Sequence, residues 1–201
     1  MTKAKPFIKW VGGKSQLIEQ LDAQLPADFG NWDNVTYIEP FVGGGAMLFY
    51  LLQRYPNIQH AVINDINQDL VICYKTVRDS LGLLIESLKD IEKTYLSLQT
   101  EEKRKDFFMA ARERYNEKGL DPIENTTKFF FLNRTCFNGL YRVNKKGLFN
   151  VPFGKYANPT ICDPNTLRKD SELLQRVEIL TGDFEDTFDY ANGNTFFYFD
   201  P

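Results

Sequence analysis

Apolar positions along this chain follow two spacings, which predict alternating strands and helices. Four short apolar runs are typical of buried strands, and they begin at Tyr37, Ala61, Val177 and Thr195. Apolar residues at helical spacing predict helices over Gln16–Leu25, after Gly43–Gly45, from Asn67 to about Arg78, over Leu81–Lys118 and from Thr126. Strand, turn and helix in that order open a βαβ unit, so the pattern predicts an α/β fold with a parallel sheet.

Three details of this pattern are specific enough to check. Ser15 is placed to cap the first helix. The last run, Thr195–Phe199, is almost wholly apolar, as is typical of a central parallel strand, and it ends at Asp200. A hairpin is predicted to turn near Lys145–Gly147, where Gly, Asn, Pro and aromatic residues dominate. The apolar stripe within the long helical stretch predicts core packing; its members are Leu84, Leu88, Ile91, Tyr95 and Leu98.

The glycines at 43–45 separate the first strand from its helix. They carry no Cβ, so the backbone can turn tightly and a ligand can approach the helix N-terminus. No Lys-Ser or Lys-Thr follows, which excludes a phosphate loop, and Leu48 fills the third glycine position of a dinucleotide fingerprint. Asp65 ends the next apolar run and suits a ribose diol. A glycine turn and a surface acid in any α/β domain would look the same, so both interpretations stay open.

Composition narrows the class of protein. The chain has 201 residues, 43% of them hydrophobic, with a net charge of −3, so the molecule as a whole is not basic. His60 is the only histidine, which argues against hydrolases built on a histidine base. The three cysteines are widely spaced and suggest neither a disulfide framework nor a metal site, so a reducing cytoplasm is expected. No apolar run reaches membrane length and no signal peptide is apparent.

One segment has a different charge balance. Between Asn125 and Cys162 there is no Asp or Glu, and aromatic residues alternate with six basic ones: Lys128, Arg134, Arg142, Lys145, Lys146 and Lys155. An acidic chain with one strictly basic, aromatic-rich segment is a candidate nucleic-acid binder, because the local field decides binding. A solvated basic loop is the alternative.

Seven motifs together resemble those of the DNA adenine-N6 methyltransferases of the Dam type. They follow the family's order across the whole chain, and such an ordered set is highly specific. They are Phe7-Ile-Lys-Trp-Val-Gly-Gly-Lys14, Glu39-Pro-Phe-Val-Gly-Gly-Gly45, Asn64-Asp-Ile-Asn67, Asn138-Gly-Leu-Tyr-Arg-Val-Asn144, Phe149-Asn-Val-Pro-Phe-Gly-Lys-Tyr156, Gly182-Asp-Phe184 and Asp200-Pro201.

The resemblance implies a Rossmann-like, S-adenosylmethionine-dependent methyltransferase sheet. An inserted, mostly helical target-recognition domain with a β-hairpin is expected between its halves, and the last part of the sheet is expected beyond this sequence. The implied domains are residues 1–66 and 166–201 for the catalytic domain and residues 67–165 for the insertion. In the family the last motif continues Pro-Tyr, whereas this sequence stops at Pro201.

The resemblance also implies the cofactor site. S-adenosylmethionine would be converted to S-adenosylhomocysteine without a metal. Asp200 and Pro201 would be catalytic, facing the target amine. The implied cofactor-binding residues are Trp10, Lys14, Glu39, Phe41, Gly43, Asp65, Asp183, Phe184 and Asp200.

Double-stranded DNA with an adenine target is the implied partner, in a cytoplasmic, nucleoid-associated protein of a bacterium or phage. Phe137 and Asn138 would fill the gap left by a flipped adenine, Arg142 would read guanine, and matches at Lys9, Leu140 and Pro152 suggest a GATC site. Lys155 and Val143 depart from the Arg and the aromatic residue common there. Further implied DNA-binding residues are Arg134, Asn144, Lys145, Lys155 and Tyr156. Three alternatives remain: a DNA-binding module without activity, a nicotinamide-dependent dehydrogenase on the same type of sheet, and methylation of RNA, which only the resemblance disfavours.

Overall fold

The structure, a computed structural model, describes residues 2–201 and is organised around one parallel sheet. Its strands are β1 Val35–Glu39, β2 Ile58–Asp65, β3 Val177–Thr181 and β4 Thr195–Phe197. They lie in the order β3-β2-β1-β4, and every neighbouring pair is parallel. Parallel strands direct their carboxyl ends to one edge of a sheet, so the residues that follow the four strands lie along that edge. The predicted α/β fold with a parallel sheet is confirmed.

The strand register sets which residues meet at that edge. Glu39, the last residue of β1, pairs with Ile63 of β2, and Asp65 at the end of β2 pairs with Thr181 of β3. On the other side of β1, Ile38 pairs with Phe197. β1 is buried along its whole length, as expected for a strand flanked on both sides.

Within residues 2–201, seven α-helices surround the sheet or form a second layer. Their bounds are α1 Ile18–Asp22, α2 Ala46–Arg54, α3 Gln68–Asp79, α4 Leu81–Ser97, α5 Glu101–Asn116, α6 Pro122–Thr135 and α7 Pro164–Leu174. Short 3₁₀ helices span Phe29–Asn31, Phe137–Gly139 and Phe184–Tyr190. Among residues 2–201, no helix is long and apolar enough to cross a membrane.

Helix α6 is the centre of the helical layer. Its first turn is fixed by Asp121, whose carboxylate accepts hydrogen bonds from the main chain of Ile123 and Glu124. Most of its side chains are buried because α3, α4 and α5 all pack against it. Helix α3 also packs on β2 and β3, so it joins this layer to the sheet. The domain boundaries stay predictions.

Two helix predictions require correction. The first helix spans only Ile18–Asp22, and Leu17 rather than Ser15 occupies the capping position, without a side-chain cap. The stretch Leu81–Lys118 is two helices instead of one. Leu98 fits the apolar stripe, but its backbone is extended and ends α4, and the hydroxyl of Thr100 accepts a bond from Lys103 N at 3.2 Å that starts α5. The other stripe residues are buried, as predicted.

Two further predictions concern the last strand and the hairpin. Within residues 2–201 β4 lies beside β1 at the end of the strand order, and its side chains are half-buried; its central place in the whole sheet stays a prediction. The hairpin turns as predicted, with Gly147 N bonded to Asn144 O. It is held by single antiparallel bridges, Val143 to Phe149 and Cys136 to Phe153, and not by long strands.

Candidate functional site

The turn after β1 is built so that only glycine fits it. Gly43 and Gly45 both have positive φ, +48° and +72°. A Cβ on Gly43 would lie 2.8 Å from Trp10 Cδ1, and one on Gly45 would lie 2.5 Å from the hydroxyl oxygen of Tyr74. That hydroxyl donates to Gly43 O at 3.0 Å. The turn is therefore clamped between an aromatic ring and a buried phenol, and it opens directly into α2.

Asp65 faces this turn from the end of β2. One carboxylate oxygen accepts the Gly43 N–H at 3.0 Å, and the other accepts the Asn67 N–H at 2.9 Å. Burial raises the pKa of Asp65, and the two N–H groups oppose that shift. The carboxylate is thus held in one orientation, while each oxygen keeps a lone pair for a ligand.

Asp200 follows β4 at the same edge of the sheet, and it is paired with the N-terminal arm, residues 5–15. Lys14 Nζ lies 2.7 Å from Asp200 Oδ1, and it also donates to Gly12 O at 3.1 Å. Both members of the pair are partly exposed. An ammonium group and a carboxylate therefore stand together at the mouth of the site.

Glu39 lies deeper, at the end of β1. Its side chain is buried and accepts the Tyr37 hydroxyl at 2.8 Å. Burial raises the pKa of Glu39 from 4.5 to about 8, against the hydrogen bond from Tyr37, and the nearby Asp200 raises it further. Near neutral pH the site therefore contains a protonated carboxyl group.

These residues enclose one cleft of about 270 Å³. Asp65 and Asp200 both line it beside the three glycines, so the two acids share one cavity. All but two of the residues predicted for cofactor binding or catalysis line it as well: Trp10, Lys14, Glu39, Phe41, Gly43, Asp65, Asp200 and Pro201.

The two exceptions are Asp183 and Phe184, which follow β3. The Phe184 ring packs on Phe41, with 5.4 Å between the ring centroids, and so extends the wall of the cleft outward. Asp183 is exposed and caps the 3₁₀ helix that follows it, by accepting Glu185 N at 3.0 Å. The segment is tied to the Asp65 strand because Gly182 N donates to Asp65 O.

A second surface is formed by the hairpin segment, residues 137–156. Phe137 is 53% exposed, and Asn138 beside it has φ of +56°. Arg142 is exposed and oriented, because its Nε donates to Asn150 Oδ1 at 2.8 Å and a terminal nitrogen donates to Asn150 O at 3.3 Å. Lys145 is exposed at the tip. The side chain of Asn144 accepts bonds from Lys146 N and Leu148 N and so stabilises the turn.

The other residues predicted to contact DNA have mixed surroundings. Pro152 is exposed and Leu140 half-buried. Lys9 Nζ lies 5.5 Å from the ring centroid of Tyr156, in a cation–π contact. Lys155 is exposed but pairs with Glu101 of α5 at 2.7 Å, an acid outside the basic stretch. Arg134 is turned inward and donates to Phe7 O at 2.7 Å, and burial lowers its pKa.

Comparison with known families identifies the chain. The model of the D12 class N6 adenine-specific DNA methyltransferases matches residues 10–201. The chain belongs to this family. The resemblance to Dam-type methyltransferases and the Rossmann-like methyltransferase fold expected from it are thereby confirmed.

Individual relatives match over nearly the whole chain. The chain is 49% identical to the type II methyltransferase M.MjaIII of Methanocaldococcus jannaschii, over 99% of this chain and 69% of that protein. It is 34% identical to the DNA adenine methylase of Haemophilus influenzae, over 99% of this chain and 64% of that protein. The chain therefore spans about two thirds of the length of these relatives.

Several residues of this D12-class chain line the cleft without having been predicted, and Tyr198 and Met47 are two of them. Tyr198 stands two positions before Asp200, and side chains two apart on an extended strand share a face. The alternation of side chains along a strand was therefore sufficient to predict that Tyr198 faces the cleft. Met47 contributes from the first turn of α2. Its apolar helical position is typical of a core residue, and the sequence holds no sign that it reaches the cleft.

Proposed function

We propose that this protein transfers a methyl group from S-adenosylmethionine to N6 of adenine in duplex DNA, at GATC sites. The observation that supports this most is the shared cleft, in which a carboxylate suited to a ribose, Asp65, and one suited to an amine, Asp200, flank a glycine turn. The chain belongs to an adenine-specific DNA methyltransferase family. In such an enzyme Asp65 would bind a nucleoside cofactor and Asp200 an extruded base, so the two ligands would meet in this cleft.

The residues of the cleft fit the cofactor. The Trp10 ring lies so close to Gly43 that a Cβ would not fit between them, and Trp10 and Phe41 supply aromatic surface for a sulfonium group. The two fixed oxygens of Asp65 suit the two ribose hydroxyls. Lys14 Nζ suits the carboxylate of the methionine moiety. Phe184, packed on Phe41, supplies apolar surface for the adenine end.

The bound cofactor would supply the electrophilic methyl group. The amine of adenine is a poor nucleophile because its lone pair is delocalised into the ring. The Asp200 carboxylate and the Pro201 carbonyl would accept its two N–H bonds, localise the lone pair and stabilise the positive charge that develops on nitrogen. One of these hydrogens then leaves as a proton. Fixing the amine in line with the methyl group supplies much of the remaining rate enhancement.

The target adenine must leave the duplex to reach this cleft, at a cost of a few kcal/mol. The exposed ring of Phe137 and the neighbouring Asn138 are suited to the gap in the base stack. Arg142, oriented by Asn150, presents the paired donors that guanine accepts in the major groove. Leu140 and Pro152 would contact a thymine methyl group, and Lys9 with Tyr156 the first base pair. Such a substrate implies a nucleoid-associated protein of the cytoplasm.

The test is methyl transfer from S-[methyl-³H]adenosylmethionine to a duplex with one GATC site. Digestion and mass spectrometry should identify N6-methyladenine at that site only. A duplex with GTTC in its place is the matched control and should accept no label. Label in the control duplex but not in the GATC duplex would contradict GATC as the recognition sequence. N6-methyladenine in neither duplex would contradict the proposed methyltransferase activity.

The same preparation separates the alternatives. Retention of DNA without transfer would favour a binding module, and saturable binding of NAD instead of S-adenosylhomocysteine would favour a dehydrogenase. The basic hairpin segment favours a nucleic-acid substrate over the small-molecule substrate of a dehydrogenase.

A further inference from the structure

Asn133, in the last turn of α6, joins two segments that are distant in sequence. Its side chain is only 2% exposed. Its Oδ1 accepts Lys9 N at 2.8 Å, and its Nδ2 donates to Lys9 O at 2.8 Å and to Gly139 O at 3.0 Å. Both N–H bonds of the amide are therefore used, each on the main chain of a different segment.

The two segments belong to the two ligand surfaces. Lys9 directly precedes Trp10, whose ring lies against the Gly43 turn of the cleft. Gly139 directly follows Asn138, at the start of the hairpin segment. The contact between them is close, since a Cβ on Gly139 would overlap the Lys9 side chain. Asn133 thus fixes the position of the N-terminal arm against the first turn of the hairpin segment.

A second contact joins the same segments. The Trp10 ring stacks on Tyr141, with 5.1 Å between centroids and 23° between planes, and Tyr141 stacks in turn on Phe129 of α6. Stacked rings tolerate sliding, whereas hydrogen bonds are directional. The three bonds of Asn133 are therefore the part of this joint that sets its register.

We propose that Asn133 is a positioning residue that couples cofactor binding to DNA binding, an inference that rests on the proposed function. Cofactor held against Trp10 and Lys14 orders the N-terminal arm, and Asn133 transmits that order to Asn138 and the rest of the hairpin segment. DNA then binds a segment that is already ordered, so each ligand tightens the binding of the other by the same factor.

The test compares Asn133→Asp with the parent. Aspartate keeps the acceptor for Lys9 N but replaces the NH₂ group that serves two carbonyl oxygens. Asn57→Asp is the matched control, because Asn57 also donates to two main-chain carbonyls, those of Phe29 and Trp32, at the opposite edge of the sheet. The dissociation constant of a fluorescent GATC duplex is measured by anisotropy with and without saturating S-adenosylhomocysteine, below the melting temperature of every variant.

In the parent we expect S-adenosylhomocysteine to tighten DNA binding about tenfold. The coupling is the ratio of the DNA dissociation constants without and with S-adenosylhomocysteine. In Asn133→Asp this ratio should fall to within about twofold of one, although S-adenosylhomocysteine alone still binds. Asn57→Asp should keep the parental ratio. If Asn133→Asp does not fold, Gly139→Ala disrupts the same contact, because its methyl group would displace the Lys9 side chain. The ratio of the two dissociation constants should then also fall to about one. A parental ratio in either folded variant, or no coupling in the parent, would overturn the inference. A parent that binds neither ligand would instead overturn the proposed function.

Discussion

Lys14 Nζ lies 2.7 Å from Asp200 Oδ1, so the N-terminal arm is ion-paired to the acid that follows the last described strand. In the proposed function the two partners serve different ligands, the cofactor carboxylate and the adenine amine. The pair is partly exposed, with 31% and 28% of the two side chains accessible, so its own contribution to stability is under about 1 kcal/mol. Both side chains can therefore turn to their ligands at little cost.

This arrangement predicts that substitution of Asp200 mainly lowers the rate of methyl transfer, whereas substitution of Lys14 mainly weakens cofactor binding. Asp200→Asn should lower the rate of methyl transfer by about 100- to 1,000-fold, because it removes the negative charge where positive charge develops. Its affinity for S-adenosylhomocysteine should change less than about fivefold. Lys14→Met should instead weaken that affinity by about tenfold or more, since a charge-assisted hydrogen bond is lost. Isothermal titration and single-turnover rates measure the two effects separately. Equal losses of affinity in both variants would contradict the division of roles.

Glu39 predicts a pH dependence of stability. Its pKa is about 8 in the folded protein and 4.5 as its ordinary value, so between these values the folded state holds a proton that the unfolded state has released. The stabilising contribution is complete below pH 4.5 and is lost as the pH rises through about 8. The free energy of unfolding should fall across this window by up to about 1.4 kcal/mol per pH unit for this one group.

Glu39→Gln should remove that part of the slope, because the amide stays neutral and its oxygen can still accept the Tyr37 hydroxyl. Urea unfolding between pH 6 and pH 9 measures it. Asp170, whose pKa burial also raises to about 8, contributes in the same window, so Asp170→Asn is the matched comparison. If Glu39→Gln kept the full parental slope while Asp170→Asn flattened it, the buried proton would belong to Asp170 alone.

The glycine turn predicts a test of the cleft. Gly43→Ala places a methyl group 2.8 Å from Trp10 Cδ1 at a φ of +48°, which costs about 1–2 kcal/mol for the backbone alone. Trp10 should be displaced, with a lower melting temperature and weaker binding of S-adenosylhomocysteine. In a Trp32→Phe background Trp10 is the only tryptophan, so its emission reports the displacement. Gly82→Ala, a helix position with open space around it, should cause neither change.

How far the sequence predicts this molecule depends on whether a strand or helix pattern implies each feature. The meeting of Asp65 and Asp200 was predictable, because each ends an apolar run and parallel strands end at one edge. The break at Leu98 was not, since Leu98 satisfies the helical stripe and only the Thr100 cap shows the interruption. The inward turn of Arg134 and the joint at Asn133 depend on residues more than 120 positions away, which no local spacing reveals.

Lys145 predicts an effect that is independent of DNA sequence. It is exposed at the tip of the hairpin segment, and in the proposed function it contacts phosphate rather than a base. Lys145→Ala should weaken binding to GATC and control duplexes alike, and it should reduce the slope of log K against log salt by about one phosphate. Lys93→Ala, an exposed lysine on α4, is the control and should keep the parental slope. A slope unchanged by Lys145→Ala would exclude the phosphate contact.

Substitution of Arg142 should have a different effect from that of Lys145, namely a loss of base discrimination confined to one base pair. Asn150 holds its guanidinium in a fixed direction, which suits bidentate recognition of guanine and leaves little freedom to accept another base. Arg142→Ala should reduce discrimination at one position by about 1–3 kcal/mol, measured as kcat/KM on duplexes with each single substitution in GATC. Arg168→Ala, an exposed arginine on α7, should leave every ratio unchanged. If Arg142→Ala lowered the rates on all duplexes by one common factor, Arg142 would be a phosphate ligand, and the guanine of the site would have to be read by another residue.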